Sequence, residues 1–104
     1  MAILKDIFGK TLIDDPTVED FRGYDFTGRN LEYADFSNMD LSNADFTDAN
    51  VEYSNFGLCD LFDCLFLNTD CRHADFSLAL NCSLASFFCA DVGDTVLEHK
   101  STAF

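Results

Sequence analysis

The sequence predicts an all-β solenoid, a coil in which short extended segments alternate with corners, and a repeat of five residues carries this prediction. An apolar residue returns at every fifth position, whereas helices repeat every 3.6 residues and strands every 2. Sixteen such centres can be counted, with one slip of a single residue after Phe76. The centres are Phe21, Phe26, Leu31, Phe36, Leu41, Phe46, Val51, Phe56, Leu61, Phe66, Cys71, Phe76, Cys82, Phe87, Val92 and Leu97.

The residues around each centre agree with this register. Thirteen of the sixteen residues that precede a centre are Asp or Asn, and small residues such as Ala34 and Ala44 lie two positions before it. Side chains two apart on an extended segment point the same way, so the centre and the small residue face inward and the Asp or Asn faces outward. The other two residues of a unit, such as Thr27 and Gly28, are turn formers. A corner after every unit makes a coil, and four right-angle corners close a square of about twenty residues.

Four stretches show the pattern plainly: ADFSN at 34–38, ADFTD at 44–48, ADFSL at 74–78 and CADVG at 89–93. They resemble the consensus of the pentapeptide-repeat family, A-[DN]-[LF]-x-x, and the resemblance covers residues 19–97. It implies a right-handed quadrilateral β-helix of about four coils.

In a four-sided coil every fourth centre stacks on the same wall. One wall then receives Phe26, Phe46, Phe66 and Phe87, and the opposite wall receives Phe36, Phe56, Phe76 and Leu97. Like side chains would stack at the spacing of neighbouring strands, roughly 4.8 Å. The sequence therefore predicts a core made of two phenylalanine ladders.

The chain divides into an N-terminal cap at 1–18, the β-helix at 19–97 and a C-terminal tail or cap at 98–104. A solenoid exposes its core at each end and needs such caps. Residues 2–8 are predicted to form a short helix with Ile3, Leu4, Ile7 and Phe8 on one side, followed by Gly9 as a stop signal. The alternative is that this helix binds a partner.

Composition excludes several classes of function. The formal charge of -13, from 19 acidic and 6 basic residues, argues against direct binding of nucleic acid, which needs Lys and Arg to neutralise phosphates. The start lacks a basic opening followed by an apolar segment, and no run of 18 apolar residues occurs, so we expect a cytoplasmic protein without membrane contact.

The titratable residues predict neither catalysis nor a cofactor. Four of the five cysteines, Cys59, Cys64, Cys71 and Cys82, fall at inward positions, and only Cys89 should face solvent. Reduced, inert thiols are the simplest interpretation, and no metal site is expected because these residues lie on different walls. With two His and few basic groups to activate a nucleophile, and no cleft in a filled coil, we expect no enzyme and no small-molecule substrate.

From residue 58 onward, outward positions become apolar, which favours an interface. The candidate interface residues are Leu58, Phe62, Leu65, Leu67, Leu78, Leu84 and Phe88. Two occupants are open: the C-terminal tail folding back, or a second copy of the chain in a homodimer. The main hypothesis is a non-catalytic interaction or scaffold module that binds an unknown protein partner through this part of coils 3 and 4.

The alternative function rests on outward carboxylates. Two adjacent faces should carry acidic columns, formed by Asp20, Asp40 and Asp60 and by Asp35 and Asp75. The family resemblance implies that such a rod can mimic DNA and bind a type II topoisomerase such as gyrase. The competing interpretation is that Asp at this position only supports the turns.

Overall fold

The computed structural model describes residues 1–87, and the predicted centres Val92 and Leu97, together with the 98–104 tail, lie outside them. In the described part, a two-stranded antiparallel sheet precedes a coil that turns every five residues. This part contains a short 3₁₀ helix, Cys82–Leu84, and has no helix long and apolar enough to cross a membrane.

The N-terminal cap is a β-hairpin, so the prediction of a helix over residues 2–8 is wrong. Strand β1, Ala2–Lys5, pairs antiparallel with strand β2, Thr11–Asp15. In the connection, Asp6 Oδ1 accepts the backbone N–H of Phe8, and Gly9 adopts a φ of 92°. The connection is therefore a side-chain-supported turn rather than the end of a helix.

The burial of β1 shows why the strand period prevails. Among the four residues expected on one helix side, Leu4 is fully buried, whereas Ile3, Ile7 and Phe8 are exposed. Leu4 lies opposite Ile13 of β2, which is also buried, and the two belong to the same apolar core as the coil. Closing the open end of that core needs one apolar residue in two from each strand, which a hairpin supplies.

The coil is four-sided, because parallel β-bridges join residues one full turn apart on four separate columns. We name each face by its outward residue in the second or third coil. The Asp45 face carries Asp25, Asp45 and Leu65; the Asn50 face carries Asn30, Asn50 and Asp70; the Asn55 face carries Asp35, Asn55 and Asp75; and the Asp60 face carries Asp40, Asp60 and Leu80.

Backbone hydrogen bonds run between successive coils along the rod. For every centre from Phe26 to Phe66, the N–H donates to the carbonyl of the outward residue of the next coil, as from Phe46 to the Leu65 carbonyl at 2.7 Å. The N–H of the outward residue donates back, as from Leu65 to the Ala44 carbonyl at 3.0 Å. Each coil thus satisfies the buried polar groups of its neighbours, which the short segments could not do alone.

The two phenylalanine ladders are confirmed over the described residues. Phe26, Phe46, Phe66 and Phe87 stack in one column with ring centroids 4.6 to 4.8 Å apart. Phe36, Phe56 and Phe76 form the second column at 4.6 to 4.8 Å. Rings of the two columns meet edge to face across the core, as between Phe46 and Phe56 at 5.7 Å. Stacked and edge-to-face contacts are the arrangements that aromatic rings prefer.

The slip in the repeat lies at Asn81. Leu80 still pairs with Asp60, so the corner through Ser77 and Leu78 is regular, and the extra residue follows it. Asn81 adopts a left-handed φ of 61° and leads into the 3₁₀ helix, after which Ser86 bridges Leu65 and regular stacking resumes. The slip thus lies between Phe76 and Cys82 as expected, but the extra residue is Asn81 and does not belong to the corner through Ser77, Leu78 and Ala79. Asn suits this position because it tolerates left-handed backbone.

Candidate interaction surfaces

The outward Asp and Asn residues support the corners. In eleven units, Oδ1 of this residue accepts the backbone N–H two positions later, at 2.8 to 3.2 Å. Asp45 shows the pattern in full, because its Oδ1 accepts both the N–H and the hydroxyl of Thr47. These Asx turns give the column a structural role wherever it occurs.

All five predicted acidic-face residues take part in these turns. Asp20, Asp40, Asp60, Asp35 and Asp75 each accept a corner N–H. The β-bridges place Asp40 and Asp60 in one column and Asp35 and Asp75 in the adjacent one. Their charges are partly engaged on the face that carries Asp20, Asp40 and Asp60. Arg22 forms a 3.0 Å ion pair with Asp20, and Asn81 donates to Asp60 Oδ1 at 2.8 Å.

Some exposed carboxylates are held in their charged form. The hydrogen bonds from Arg22 lower the pKa of Asp20, and those from Arg72 lower the pKa of Asp70. The hydroxyl of Thr27 and then its N–H lower the pKa of Asp25. Each of these hydrogen bonds favours the ionised form of the carboxylate that accepts it.

An apolar surface begins at the end of the second coil and continues over the third coil to the start of the fourth. Five of its side chains are exposed by between 37% and 56%, namely Leu58, Phe62, Leu65, Leu78 and Leu80. The predicted member Leu67 is half-buried, and the side chain of Leu84 and all of Phe88 lie outside the described residues. We call Leu58, Phe62, Leu65, Leu78 and Leu80 the apolar surface.

Leu80 was not among the predicted interface residues. Counted back from the predicted centre Cys82, Leu80 falls two positions before it, which is an inward position. In the structure it occupies the outward column of Asp40 and Asp60, so an acidic column ends in an exposed leucine. The sequence did offer a signal for this, because the position one turn beyond Asp60 holds neither Asp nor Asn.

Leu58 and Leu78 occupy positions that disfavour leucine for two reasons, the backbone conformation and the exposure to solvent. Both lie at the second corner position with φ of 59° and 61°, where Asn38 stands in the first coil. Left-handed backbone is costly for a leucine and readily adopted by Asn. Both leucines are also about half exposed, at 50% and 56%. Neither the local backbone nor solvent favours leucine at these two positions.

A column of aromatic rings runs along the outside of the corner between the Asn50 and Asn55 faces. Tyr33 and Tyr53 stack with centroids 5.0 Å apart, and Tyr53 and His73 stack at 4.6 Å. Phe8 of the hairpin extends the column at 5.5 Å from Tyr33. Sequence reasoning missed this aromatic column, although the spacing of twenty residues between Tyr33, Tyr53 and His73 could have shown it.

The four predicted inward cysteines are buried, as expected. Cys59 donates to the Phe36 carbonyl and Cys64 to the Leu41 carbonyl, at 2.7 and 2.8 Å. Burial raises the pKa of Cys64 to about 12 and that of Cys82 to about 11, so these thiols are protonated and unreactive. Residues 1–87 hold no group of three or more His, Cys, Asp or Glu side chains that could bind a metal, and Cys89 lies outside them.

The fold defines a repeat protein in which every five residues build one side of a coil. A family model described as pentapeptide repeats matches residues 20–57 with 8 copies. A pentapeptide repeat protein from the thylakoid lumen of Arabidopsis thaliana, known from a crystal structure, shares 33% sequence identity with this chain. The two structures superpose with a TM-score of 0.70 over 73% of this chain. The match covers 52% of that protein, so this chain spans about half of its length. A search of the curated proteins finds no match. Residues 20–57 are therefore pentapeptide repeats, and the coil has the fold of a pentapeptide-repeat protein.

Proposed function

We propose that this chain is a non-catalytic protein-interaction module whose apolar surface pairs with a second copy of the chain. The observation that carries the proposal is the pair Leu58 and Leu78, which are exposed leucines on left-handed backbone. Apolar residues that are exposed to solvent and also adopt a disfavoured backbone conformation are typical of surfaces that a partner covers. Leu80, Phe62 and Leu65 continue the same surface around the coil.

The contrast with the first two coils supports this assignment. One turn before Leu58, Phe62 and Leu65 the chain has Asn38, Ser42 and Asp45. Two turns before Leu78 and Leu80 it has Asn38 and Asp40. Within the described coil, exposed leucine and phenylalanine side chains are thus confined to residues 58–80. A surface of this kind on one segment favours a single contact rather than association along the whole length.

Net charge sets the conditions for pairing. Two copies carrying -13 each repel one another at low ionic strength, whereas burial of apolar area is insensitive to salt. Screening should therefore strengthen the dimer. A salt-strengthened dimer distinguishes this contact from binding through the acidic faces, which salt would weaken.

Sedimentation velocity of the full chain between about 5 and 200 µM tests the proposal. We expect the mass of a dimer at the higher concentration, more dimer at higher salt, and a monomer for the double variant Leu58→Asn with Leu78→Asn. Ile7→Asn is the matched control, because Ile7 is also exposed but lies in the hairpin connection. A monomeric wild-type chain at every concentration overturns the second-copy partner, and a dimeric double variant overturns the surface.

A further inference from the structure

The four corner columns of the coil differ in the side chains that they place on left-handed backbone. Two columns use residues that suit positive φ: Gly23, Asn43 and Asp63 in one, and Gly28, Asp48 and Asn68 in the other. The other two columns use bulky residues: Tyr33, Tyr53 and His73 in one, and Leu58 and Leu78 above Asn38 in the other. Both bulky columns border the same side of the rod, the Asn55 face.

Bulky side chains at positive φ are disfavoured wherever Gly, Asn or Asp would serve. Gly, Asn or Asp occupies every left-handed corner on the opposite side of the rod. Strain confined to the borders of one face points to a role for that face, because strained backbone clusters at binding sites. The pattern extends over the first three coils and is not a feature of one irregular corner.

The aromatic border is a continuous ridge. The planes of Tyr33, Tyr53 and His73 are within 11° of parallel at each step, and Tyr53 is 43% exposed. Stacked rings of this kind form a rigid side wall with little entropy to lose when a partner binds. Planar guanidinium groups pack well against aromatic rings.

The floor of the Asn55 face carries two carboxylates with spare acceptor capacity. Oδ1 of Asp35 and Oδ1 of Asp75 accept from the backbone and hydroxyl of Ser37 and Ser77. No side chain among residues 1–87 donates to their Oδ2 atoms or forms an ion pair with them. Asp70 on the neighbouring face, in contrast, is paired with Arg72 at 2.8 Å.

We propose that the Asn55 face binds an extended cationic segment of a partner protein. Its Arg or Lys side chains meet the carboxylates of Asp35 and Asp75 and pack against Tyr53 and His73. Charge complementarity selects this occupant, since the chain carries -13 and these two carboxylates have no cation in the described part. A second copy of the chain is a poor occupant because its own surface has the same sign. The proposed contacts, Asp35, Asp75, Tyr53 and His73, lie outside the apolar surface, although Leu58 and Leu78 on the other border of the face belong to it.

The probe is an acetylated octapeptide of alternating arginine and threonine, titrated to about 1 mM into the ¹⁵N-labelled full chain at low salt. We expect amide shifts centred on Asp35, Tyr53, His73 and Asp75, and weaker binding as salt increases. Asp35→Asn with Asp75→Asn should weaken binding about tenfold or more, and Tyr53→Asn with His73→Asn should weaken it also. Asn is chosen at the corner positions because it fits left-handed backbone, so the variants should stay folded.

The matched control is Asp25→Asn with Asp45→Asn, which removes the same charge from the Asp45 face, whose corners are Gly, Asn and Asp. It should leave affinity within about twofold of wild type. Equal loss in both double variants would show diffuse attraction to an acidic rod and overturn the proposal. So would an absence of shifts at the highest peptide concentration, or shifts centred on another face. Because the readout is at Tyr53 and His73 and is weakened by salt, its failure is separable from failure of the dimer.

Discussion

The rings of Phe46 and Phe66 lie parallel within 2°, with their centroids 4.8 Å apart, one coil above the other. Both side chains are fully buried, and each also meets Phe56 of the other ladder at 5.7 Å. Phe46 also stacks on Phe26 at 4.6 Å, so its ring joins three consecutive coils of the core. The stability of the rod is expected to depend on each ring in the middle coils, because a solenoid has only neighbour contacts.

Replacing Phe46 with Ala should lower the free energy of unfolding by about 3 to 5 kcal/mol, because the neighbouring backbone cannot collapse into the cavity. Urea denaturation followed by circular dichroism measures this change. Phe46→Leu keeps most of the volume and should lower it by less than about 1.5 kcal/mol. A loss below about 1 kcal/mol for Phe46→Ala would contradict the ladder as the main source of stability.

The ladders could be predicted because their signal is local and redundant. Every centre from Phe21 to Phe76 is apolar, and the neighbouring Asp, Asn and small residues all specify the same phase. Agreement among several independent positions makes a register hard to mistake. For the same reason the inward Ala34 and Ala44 were predicted correctly, and both are buried.

The cap and the surfaces were harder to predict for identifiable reasons. Ile3, Leu4, Ile7 and Phe8 satisfy a helical spacing, and the strand register depends on pairing Leu4 with Ile13, which a local pattern does not contain. Leu80 was missed as an interface residue because the repeat alone does not show which residue between Phe76 and Cys82 is the extra one, and only coil-to-coil pairing locates it at Asn81. The aromatic column depends on the twenty-residue period, which a search in steps of five passes over.

Leu78→Asn should stabilise the monomer, which is unusual for the loss of an apolar side chain. Leu78 has a φ of 61° and is 56% exposed, so the substitution relieves backbone strain and removes little burial. We expect a gain of about 0.5 to 1 kcal/mol in the free energy of unfolding. Thermal unfolding below the concentration at which any dimer forms measures it. Asn68→Leu, which creates the strain at another corner, should lower stability; a loss for Leu78→Asn would show that Leu78 packs within the monomer.

Asp45 should support its corner through hydrogen bonding rather than charge. Its Oδ1 accepts from the N–H of Thr47 at 2.9 Å and from the hydroxyl at 2.6 Å. Asp45→Ala should lower the free energy of unfolding by about 1 to 2 kcal/mol, whereas Asp45→Asn keeps the acceptor and should change it by less than about 0.5 kcal/mol. Urea denaturation of both variants in the same buffer compares them. Equal losses in the two would assign the effect to the negative charge.

Asp25 should make one contribution to stability that disappears in acid. The hydroxyl and N–H of Thr27 lower the pKa of Asp25 in the folded chain relative to the unfolded chain, where it is about 3.9. A lowered folded pKa contributes stability above the unfolded pKa, and this is lost as pH falls through the folded pKa. The stability difference between wild type and Asp25→Asn should therefore fall steadily from about pH 5 to pH 2. Taking the difference cancels changes in overall charge repulsion, and a difference independent of pH would contradict this linkage.

DNA mimicry is the last function to be tested, and we expect the chain not to inhibit DNA supercoiling by purified gyrase at micromolar concentration. The outward carboxylates have a sufficient structural reason in the corner hydrogen bonds, and Arg22 pairs with Asp20 at one end of the acidic column. At the other end the column stops at Leu80, so the negative face is interrupted in the fourth coil. A DNA-binding groove discriminates by a continuous row of charge, and this face offers a short one. Inhibition that weakens with salt and is lost in Asp40→Asn with Asp60→Asn would place a function on the Asp60 face and overturn this expectation.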